Sequence, residues 1–181
     1  MGKKLGVLDN DEVIADLISK LNQFHNENYG TSLTVKDYKV YNLEKTWGGT
    51  KEEAVRKVNR FHRHPLFREI IPVNGAQKAV KEISKKYDLI VVTSRPIDIY
   101  YETKKWIDKY FPGMIKEIIC TGQYTLKSSQ ISKVEICKIK RANFIIEDNL
   151  DVAEKCAREK GIDSIVLAIY PWNRKILQSP N

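Results

Sequence analysis

The apolar run Leu5-Gly6-Val7-Leu8 passes directly into Asp9-Asn10-Asp11-Glu12-Val13, and Ile14, Leu17, Ile18, Leu21 and Phe24 then recur at helical spacing. A short continuous apolar run that changes to a 3.6-residue period predicts a buried strand, a turn and an amphipathic helix. Gly30 is a suitable residue to end that helix. The same rhythm returns from Gly75. Ala76, Ala79, Val80 and Ile83 predict a helix, and Leu89-Ile90-Val91-Val92 a strand ending at Thr93-Ser94-Arg95-Pro96. A helix over about 98–110 is closed by Pro112-Gly113; Ile115 to Cys120 reads as a strand and 132–140 as a short helix. Phe144-Ile145-Ile146 is a strand ending at Glu147-Asp148-Asn149, followed by a helix to Gly161 and a last strand from Ile165 to Ile169. Strands and helices alternating over short connections predict an α/β fold with a doubly wound, mostly parallel sheet.

Residues 31–74 follow a different pattern, with the aromatics Tyr38, Tyr41, Trp47, Phe61 and Phe67 and no buried strand. Thr34 with Asp37 resembles a weak cap, and Thr50 with Glu53 has the spacing of a capping box. Pro65 and Pro72 interrupt the stretch that follows. The expected organisation is a core made of residues 1–13 and 75–181, with a small helical insert over 14–74 after the first strand.

At 181 residues the chain can bury one substantial core with a small subdomain. No apolar run approaches the roughly 18–20 residues of a membrane span, and Met1-Gly2-Lys3-Lys4 leads straight into the first strand, so neither a span nor a signal peptide is expected. Cys120, Cys137 and Cys156 are odd in number and widely spaced, unlike a disulfide framework or a zinc site, so a reducing cytoplasm is the expected setting. The formal charge of +8 favours anionic partners. Much of it lies in Arg56, Lys57, Arg60, Arg63 and Arg68, with a second group at Lys138, Lys140 and Arg141. A phosphorylated small molecule and nucleic acid are both open, as is a solvated basic surface. The chain has no helix-turn-helix, zinc-finger or ribonucleoprotein signature.

Three predicted strands end in reactive groups: Asp9 and Asp11, Thr93 and Ser94, Glu147 and Asp148. Taken singly, Asp11 or Asp148 reads as a helix cap, and Thr93-Ser94 as a capping motif before Pro96. In a parallel sheet, however, the strand ends share one edge, where ligands bind. The carboxylates would form an oxygen-rich site suited to Mg²⁺, and the hydroxyls with nearby backbone N–H groups could hold phosphate oxygens. Such a site needs a further positive charge. Lys133, at the start of the short helix before the Glu147 strand, is the chosen candidate, with Lys127 and Lys138 as alternatives.

These segments, Asp9-Asn10-Asp11-Glu12-Val13, Val92-Thr93-Ser94-Arg95-Pro96, Lys133 and Ile146-Glu147-Asp148-Asn149, resemble in order the four motifs of the haloacid dehalogenase superfamily of phosphohydrolases. The resemblance covers about residues 4–170 and is nearest to the 5′(3′)-deoxyribonucleotidase-like branch. That branch usually has two aspartates in the fourth motif, where this chain has Glu147-Asp148. The resemblance implies that Asp9 is the nucleophile and that Asp11 protonates the leaving oxygen, then accepts a proton from water. It implies Mg²⁺ held by Asp9, the backbone carbonyl of Asp11 and Asp148, with Glu147 in the outer shell. Thr93, Ser94 and Lys133 would bind the phosphoryl group. The insert would act as a cap. Trp47 and Phe61 are candidates to stack on a base, or else form the insert's own core. Arg60 or Arg63 could meet an anionic substrate, and Arg95 could touch substrate or pair with a carboxylate. His62 and His64 do not share a helix face and read as surface residues. The tail Tyr170-Pro171-Trp172-Asn173 reads as an aromatic closure after the last strand. The expected activity is Mg²⁺-dependent hydrolysis of a phosphomonoester, with a nucleoside monophosphate as first choice. Nucleic-acid ends, a non-nucleotide phosphomonoester and a non-catalytic nucleic-acid-binding role are the alternatives.

Overall fold

The computed structural model describes residues 2–122 and 131–174. The chain forms two compact units, the first comprising the residues up to Ala15 and Pro72–Ala168, the second Asp16–Ile71 and the chain from Ile169.

The first unit is built on a five-stranded, wholly parallel sheet in the order β3-β2-β1-β4-β5. Its strands are β1 (Lys4–Leu8), β2 (Tyr87–Thr93), β3 (Ile115–Cys120), β4 (Phe144–Glu147) and β5 (Ser164–Leu167). The first strand in sequence is therefore central, and Leu8 lies opposite Val91 on one side and Ile146 on the other. Val7, Ile90, Val92 and Ile145 are all buried, as expected of parallel strands covered on both faces. They pack with Ile136, Cys137, Ala142 and Cys156 in one apolar cluster. The strand register brings Asp9, Thr93-Ser94 and Glu147-Asp148 to one edge of the sheet. The helices of this unit are α5 (Ala76–Ser84), α6 (Tyr100–Tyr110), α7 (Lys133–Ile139) and α8 (Leu150–Ala157).

The first helix after β1 begins later than the apolar period suggests. The amides of Ile14 and Ala15 both donate to the Asn10 carbonyl, so the chain closes on itself here rather than starting a helix. Helix α1 (Leu17–Tyr29) is capped by Asp16, whose carboxylate accepts from the Ser19 amide at 3.4 Å and its hydroxyl at 2.7 Å. Asp11 is thus not the cap. At the other end Gly30 takes the left-handed conformation (φ 65°) that closes the helix, as predicted. Asn149 caps α8 by accepting from the Val152 amide at 3.3 Å, so Asp148 is not a cap either.

The second unit adds α2 (Leu43–Trp47), α3 (Lys51–His62) and α4 (Pro65–Arg68) to α1. The capping box of Thr50 and Glu53 starts α3, and Pro65 sits in the first turn of α4, where its missing N–H costs nothing. Phe61 is fully buried between Phe24 and Phe67, with ring centroids 5.5 and 5.7 Å away. Tyr38 is also buried; it donates to Asn22 Oδ1 at 2.6 Å and accepts from Trp47 Nε1 at 2.9 Å. The C-terminal aromatics belong to this unit. Trp172 stacks on Tyr170 (4.6 Å) and meets Tyr38 edge-on (6.5 Å), so the tail is part of the helical unit's aromatic packing rather than of the sheet. Among the described residues, no helix is long and apolar enough to cross a membrane.

His25 is buried in the helical unit, with Lys57 Nζ 3.1 Å from its Nε2 and Thr31 Oγ1 2.8 Å from its Nδ1. Burial, then the neighbouring ammonium, lowers its pKa to about 4. The unfolded chain, with an ordinary histidine near pH 6.5, therefore takes up a proton that the folded chain refuses between about 6.5 and 4. The sign follows: stability is lost as pH falls through that window. Denaturant unfolding measured across pH 7 to 4 (about the span of the linkage) is expected to show this acid loss in the parent and a shallower slope in His25→Gln. Equal slopes would remove His25 as its source.

Candidate active site

Asp9 lies immediately beyond β1, where its amide donates to the Ile146 carbonyl at 2.9 Å and ties it to the end of β4. It is 3% exposed. From the start of α7, Lys133 places its ammonium 2.7 Å from Asp9 Oδ2 and 2.9 Å from Glu147 Oε2. The other Glu147 oxygen accepts from the amides of Asp148 and Asn149, both at 3.1 Å. The capping box of Ser132 and Glu135 fixes the first turn of α7 and so the position from which Lys133 reaches inward.

Burial and charge set the titration of this cluster. Burial raises Asp9 well above the usual carboxylate range, and Glu147 pushes the same way against the opposing Lys133 charge. Asp148 is likewise raised by burial, then by the negative charges of Asp9, Glu147 and Glu12. Burial would also raise Glu147, but the Lys133 charge and hydrogen bond outweigh it and hold this carboxyl low. Burial alone would discharge Lys133; Asp9 and Glu147 instead hold it firmly protonated. Carboxylates are in excess over ammonium groups here, with Asp9, Glu147 and Asp148 drawn around Lys133 and Glu12 bearing on Asp148.

That excess suits a divalent cation. One carboxylate oxygen from each of Asp9, Glu147 and Asp148 lies within 4.8 Å of the others, and all three residues are buried. An all-oxygen donor set matches a hard cation such as Mg²⁺. Glu147 already has one oxygen on Lys133 and the other on two backbone amides, which suits it to bracing the site and leaves Asp9 and Asp148 as the carboxylates that could hold a cation.

Asp11 is the more accessible aspartate, with its side chain 21% exposed. Arg95 clamps it with two hydrogen bonds: Nε donates to Oδ2 at 3.1 Å and Nη2 to Oδ1 at 2.6 Å. Asn10 Nδ2 adds a third to Oδ1 at 2.9 Å. The guanidinium is buried, and its Nη1 donates to Thr103 Oγ1 at 3.1 Å. Thr103 is held in turn by donating to the Ile99 carbonyl at 2.9 Å. Of the two roles open to Arg95, the structure places it on a carboxylate. Thr93 is buried; its hydroxyl accepts from the Arg95 amide at 3.2 Å, and its carbonyl accepts from the Thr121 amide at 2.8 Å and hydroxyl at 3.1 Å. Ser94 follows it, half-buried.

The remaining candidates lie elsewhere. Lys138 pairs with Glu159 at 3.1 Å, and Lys127 falls outside the described residues. Phe61 is a core residue of the helical unit, fully enclosed by other rings, so it offers no face to a base. Trp47 and Arg60 line a cavity within that same unit. Arg63 is exposed. His62 and His64, expected on the surface, are half-buried: His62 packs on Phe67 at 5.1 Å, and His64 packs on Phe24 at 5.1 Å while capping α4. The sequence reading assigns no role to Glu12, yet it is buried, takes a left-handed backbone (φ 60°) and bears electrostatically on Asp148. The available sequence signal was a third acidic residue directly after Asp11; its backbone adds to it, since non-glycine residues at positive φ are uncommon and concentrate at functional sites.

The family model described as 5′ nucleotidase, deoxy (pyrimidine), cytosolic type C protein matches residues 4–179. The 5′(3′)-deoxyribonucleotidase of Bacillus subtilis is 30% identical over 130 residues, covering 70% of this chain and 73% of that protein. Among solved structures, the haloacid dehalogenase-like hydrolase SP0104 of Streptococcus pneumoniae has a TM-score of 0.61 at 11% identity, over 98% of this chain and 99% of its own. The HAD-hydrolase YfnB of Bacillus subtilis, solved bound to magnesium, gives 0.56 at 15% identity, over 87% and 83%. These two structures share the fold, and the sequence matches carry the assignment further. The chain has the fold of these haloacid dehalogenase-like hydrolases, belongs to the cytosolic type C 5′-nucleotidase family and is a phosphoric monoester hydrolase.

Proposed function

We propose that this hydrolase is a Mg²⁺-dependent nucleotidase that cleaves a nucleoside monophosphate through an aspartyl-phosphate on Asp9. One observation carries the reading: Asp9, Glu147, Asp148 and Lys133 are buried together at one end of the sheet, with the carboxylate oxygens within 4.8 Å of one another and the ammonium 2.7 Å from Asp9. The deoxyribonucleotidase name of the Bacillus relative supports the substrate class. A cytoplasmic setting accompanies it, in keeping with Cys137 and Cys156 lying in the core as free thiols.

On this reading Asp9 and Asp148 would hold Mg²⁺ together with the Asp11 backbone carbonyl, with Glu147 bracing the two carboxylates. Bound there, Mg²⁺ would neutralise charge on the phosphoryl oxygens. A carboxylate oxygen of Asp9 attacks phosphorus as the bond to the leaving sugar oxygen breaks, and that oxygen takes a proton from Asp11. Water then attacks phosphorus and gives its proton to Asp11. The Asp9–phosphorus link breaks, releasing inorganic phosphate and restoring both carboxyl groups. Lys133, Thr93 and Ser94 stabilise the transferring phosphoryl group. Arg95 is a positioning residue: its two bonds orient Asp11 and it touches no reacting atom in this scheme.

The test is a substrate panel with and without Mg²⁺: deoxynucleoside and nucleoside monophosphates, p-nitrophenyl phosphate and 5′-phosphorylated oligonucleotides. Metal-dependent turnover with the highest kcat/KM on mononucleotides is expected; a preference for phosphorylated oligonucleotides or sugar phosphates would replace the substrate assignment. Asp9→Asn should retain the fold and lose at least about a thousandfold in kcat, because a neutral amide is a poor nucleophile. Activity near that of the parent would remove the covalent route. Asp148→Ala should raise the Mg²⁺ concentration required or abolish turnover, and an unchanged requirement would point to another ligand.

Arg95→Gln separates positioning of the acid from general structural support. Leaving groups that depart without protonation need Asp11 only in the second step, to accept the proton of water. In the variant kcat/KM, which reports the first step, should therefore fall about ten- to a hundredfold on nucleotides and far less on p-nitrophenyl phosphate. Equal losses on both substrates would mean that Arg95 only supports the loop.

A further inference from the structure

The helical unit contains a cavity of about 440 Å³, lined by Tyr29, Trp47, Gly48, Gly49, Glu53, Arg56, Lys57 and Arg60. Every one of these residues belongs to that unit. Three cations, Arg56, Lys57 and Arg60, occupy adjacent positions on α3, and among the described residues none is within salt-bridge distance of a carboxylate. Glu52 and Glu53 stand four residues before Arg56 and Lys57 and offset part of this charge, while Arg60, one turn beyond Arg56, adds like charge to the same face. Among the described residues Glu53 is the only acidic one lining the cavity, and one of its oxygens is engaged at 2.8 Å with the Thr50 amide at the start of α3.

Lys57 is held in place rather than left to sample solvent. Its ammonium sits 4.5 Å from the Tyr29 ring centroid and 5.6 Å from that of Trp47, within cation–π range of both. It donates to His25 Nε2 at 3.1 Å. Acceptance at Nε2 leaves the proton on Nδ1, which donates to Thr31 Oγ1 at 2.8 Å; Thr31 donates onward to Asn26 Oδ1 at 2.7 Å. The neutral imidazole required here agrees with the lowered pKa of His25. Trp47 is fixed equally well, stacked on His25 at 4.6 Å and hydrogen-bonded to Tyr38 at 2.9 Å. Gly48 and Gly49, both at positive φ, leave one wall without side chains, and a Cβ on Gly49 would collide with Glu53.

A fixed indole, a fixed ammonium, two further guanidinium groups and a bare backbone wall suit a ligand that joins an anion to a flat ring. We propose that this cavity is a nucleoside-phosphate site of the helical unit, with Lys57, Arg56 and Arg60 on the phosphate and Trp47 against the base. Its lining shares no residue with the strand-end carboxylates, which belong to the other unit. The same chemistry could arrive as a free nucleotide or as one nucleotide of a single strand.

The indole Nε1–H resonance of Trp47, assigned by its loss in Trp47→Phe, reports directly on this cavity. It is followed by NMR in EDTA, to prevent turnover, during titration with thymidine 5′-monophosphate, thymidine, deoxyribose 5-phosphate and a short unphosphorylated oligothymidylate. A saturable shift with the nucleotide is expected, with thymidine and the sugar phosphate each at least about tenfold weaker. Tighter binding of the oligothymidylate would identify a strand as the source, and weaker binding the free nucleotide. Arg60→Gln, at an exposed position, and Lys57→Gln should each weaken the nucleotide at least about tenfold, while Asp148→Ala leaves its affinity unchanged. Three results would overturn the proposal: no saturable shift up to about 10 mM nucleotide, a shift indifferent to both substitutions at Lys57 and Arg60, or an affinity lost in Asp148→Ala.

Discussion

Lys133 carries its ammonium into an almost sealed space, 1% exposed, and contacts Asp9 at 2.7 Å and Glu147 at 2.9 Å. An unpaired charge at such depth would cost several kcal/mol, roughly the size of a small domain's whole stability. The pairing therefore constrains the sheet edge: β1, β4 and the first turn of α7 can adopt their positions only if all three groups stay together. Glu147 extends the constraint by accepting two backbone amides from the turn into α8, which orients Asp148 beside Asp9. The lysine does not neutralise the cluster. Burial, and then the neighbouring carboxylates, keep Asp9 and Asp148 raised, a state that a divalent cation would relieve.

Asp11 stands outside this buried cluster and is governed by a second, separate device. Arg95 and Thr103 form a short chain of hydrogen bonds from α6 to the carboxylate, ending on the Ile99 carbonyl. The two aspartates, two residues apart, thus meet different environments: one is sealed against a lysine, the other half-open against a guanidinium. Division of labour between a nucleophile and a proton carrier needs such a difference, because identical surroundings would give both the same chemistry.

The order of strands and helices was legible because each strand is a short apolar run and each helix has an apolar stripe. The convergence of Asp9, Thr93, Glu147 and Asp148 followed from parallel topology alone. What escaped the sequence depends on contacts between distant positions. Nothing local told Asp148 from Asn149 as the cap of α8, since both residue types favour that place. The Arg95 clamp spans 84 residues of chain and has no periodic signature. Phe61 and Trp47 looked alike as aromatics of the insert, yet one is enclosed by Phe24 and Phe67 and the other lines a cavity. The tail reads from sequence only as an aromatic closure for the same reason: a segment after the last strand says nothing about its neighbour until Tyr38 is seen beside Trp172.

The dependence of the site on Lys133 is tested most directly by a double-substitution cycle in reversible denaturant unfolding, using Lys133→Met, Glu147→Gln and the combination. Removing the lysine alone strands two buried carboxylates and should cost about 3–5 kcal/mol. Neutralising Glu147 in that background removes one of the stranded charges, so the double variant should be more stable than Lys133→Met by at least about 1 kcal/mol. Losses that simply add, to within about 0.5 kcal/mol, would contradict the view that this lysine and these carboxylates act as one unit.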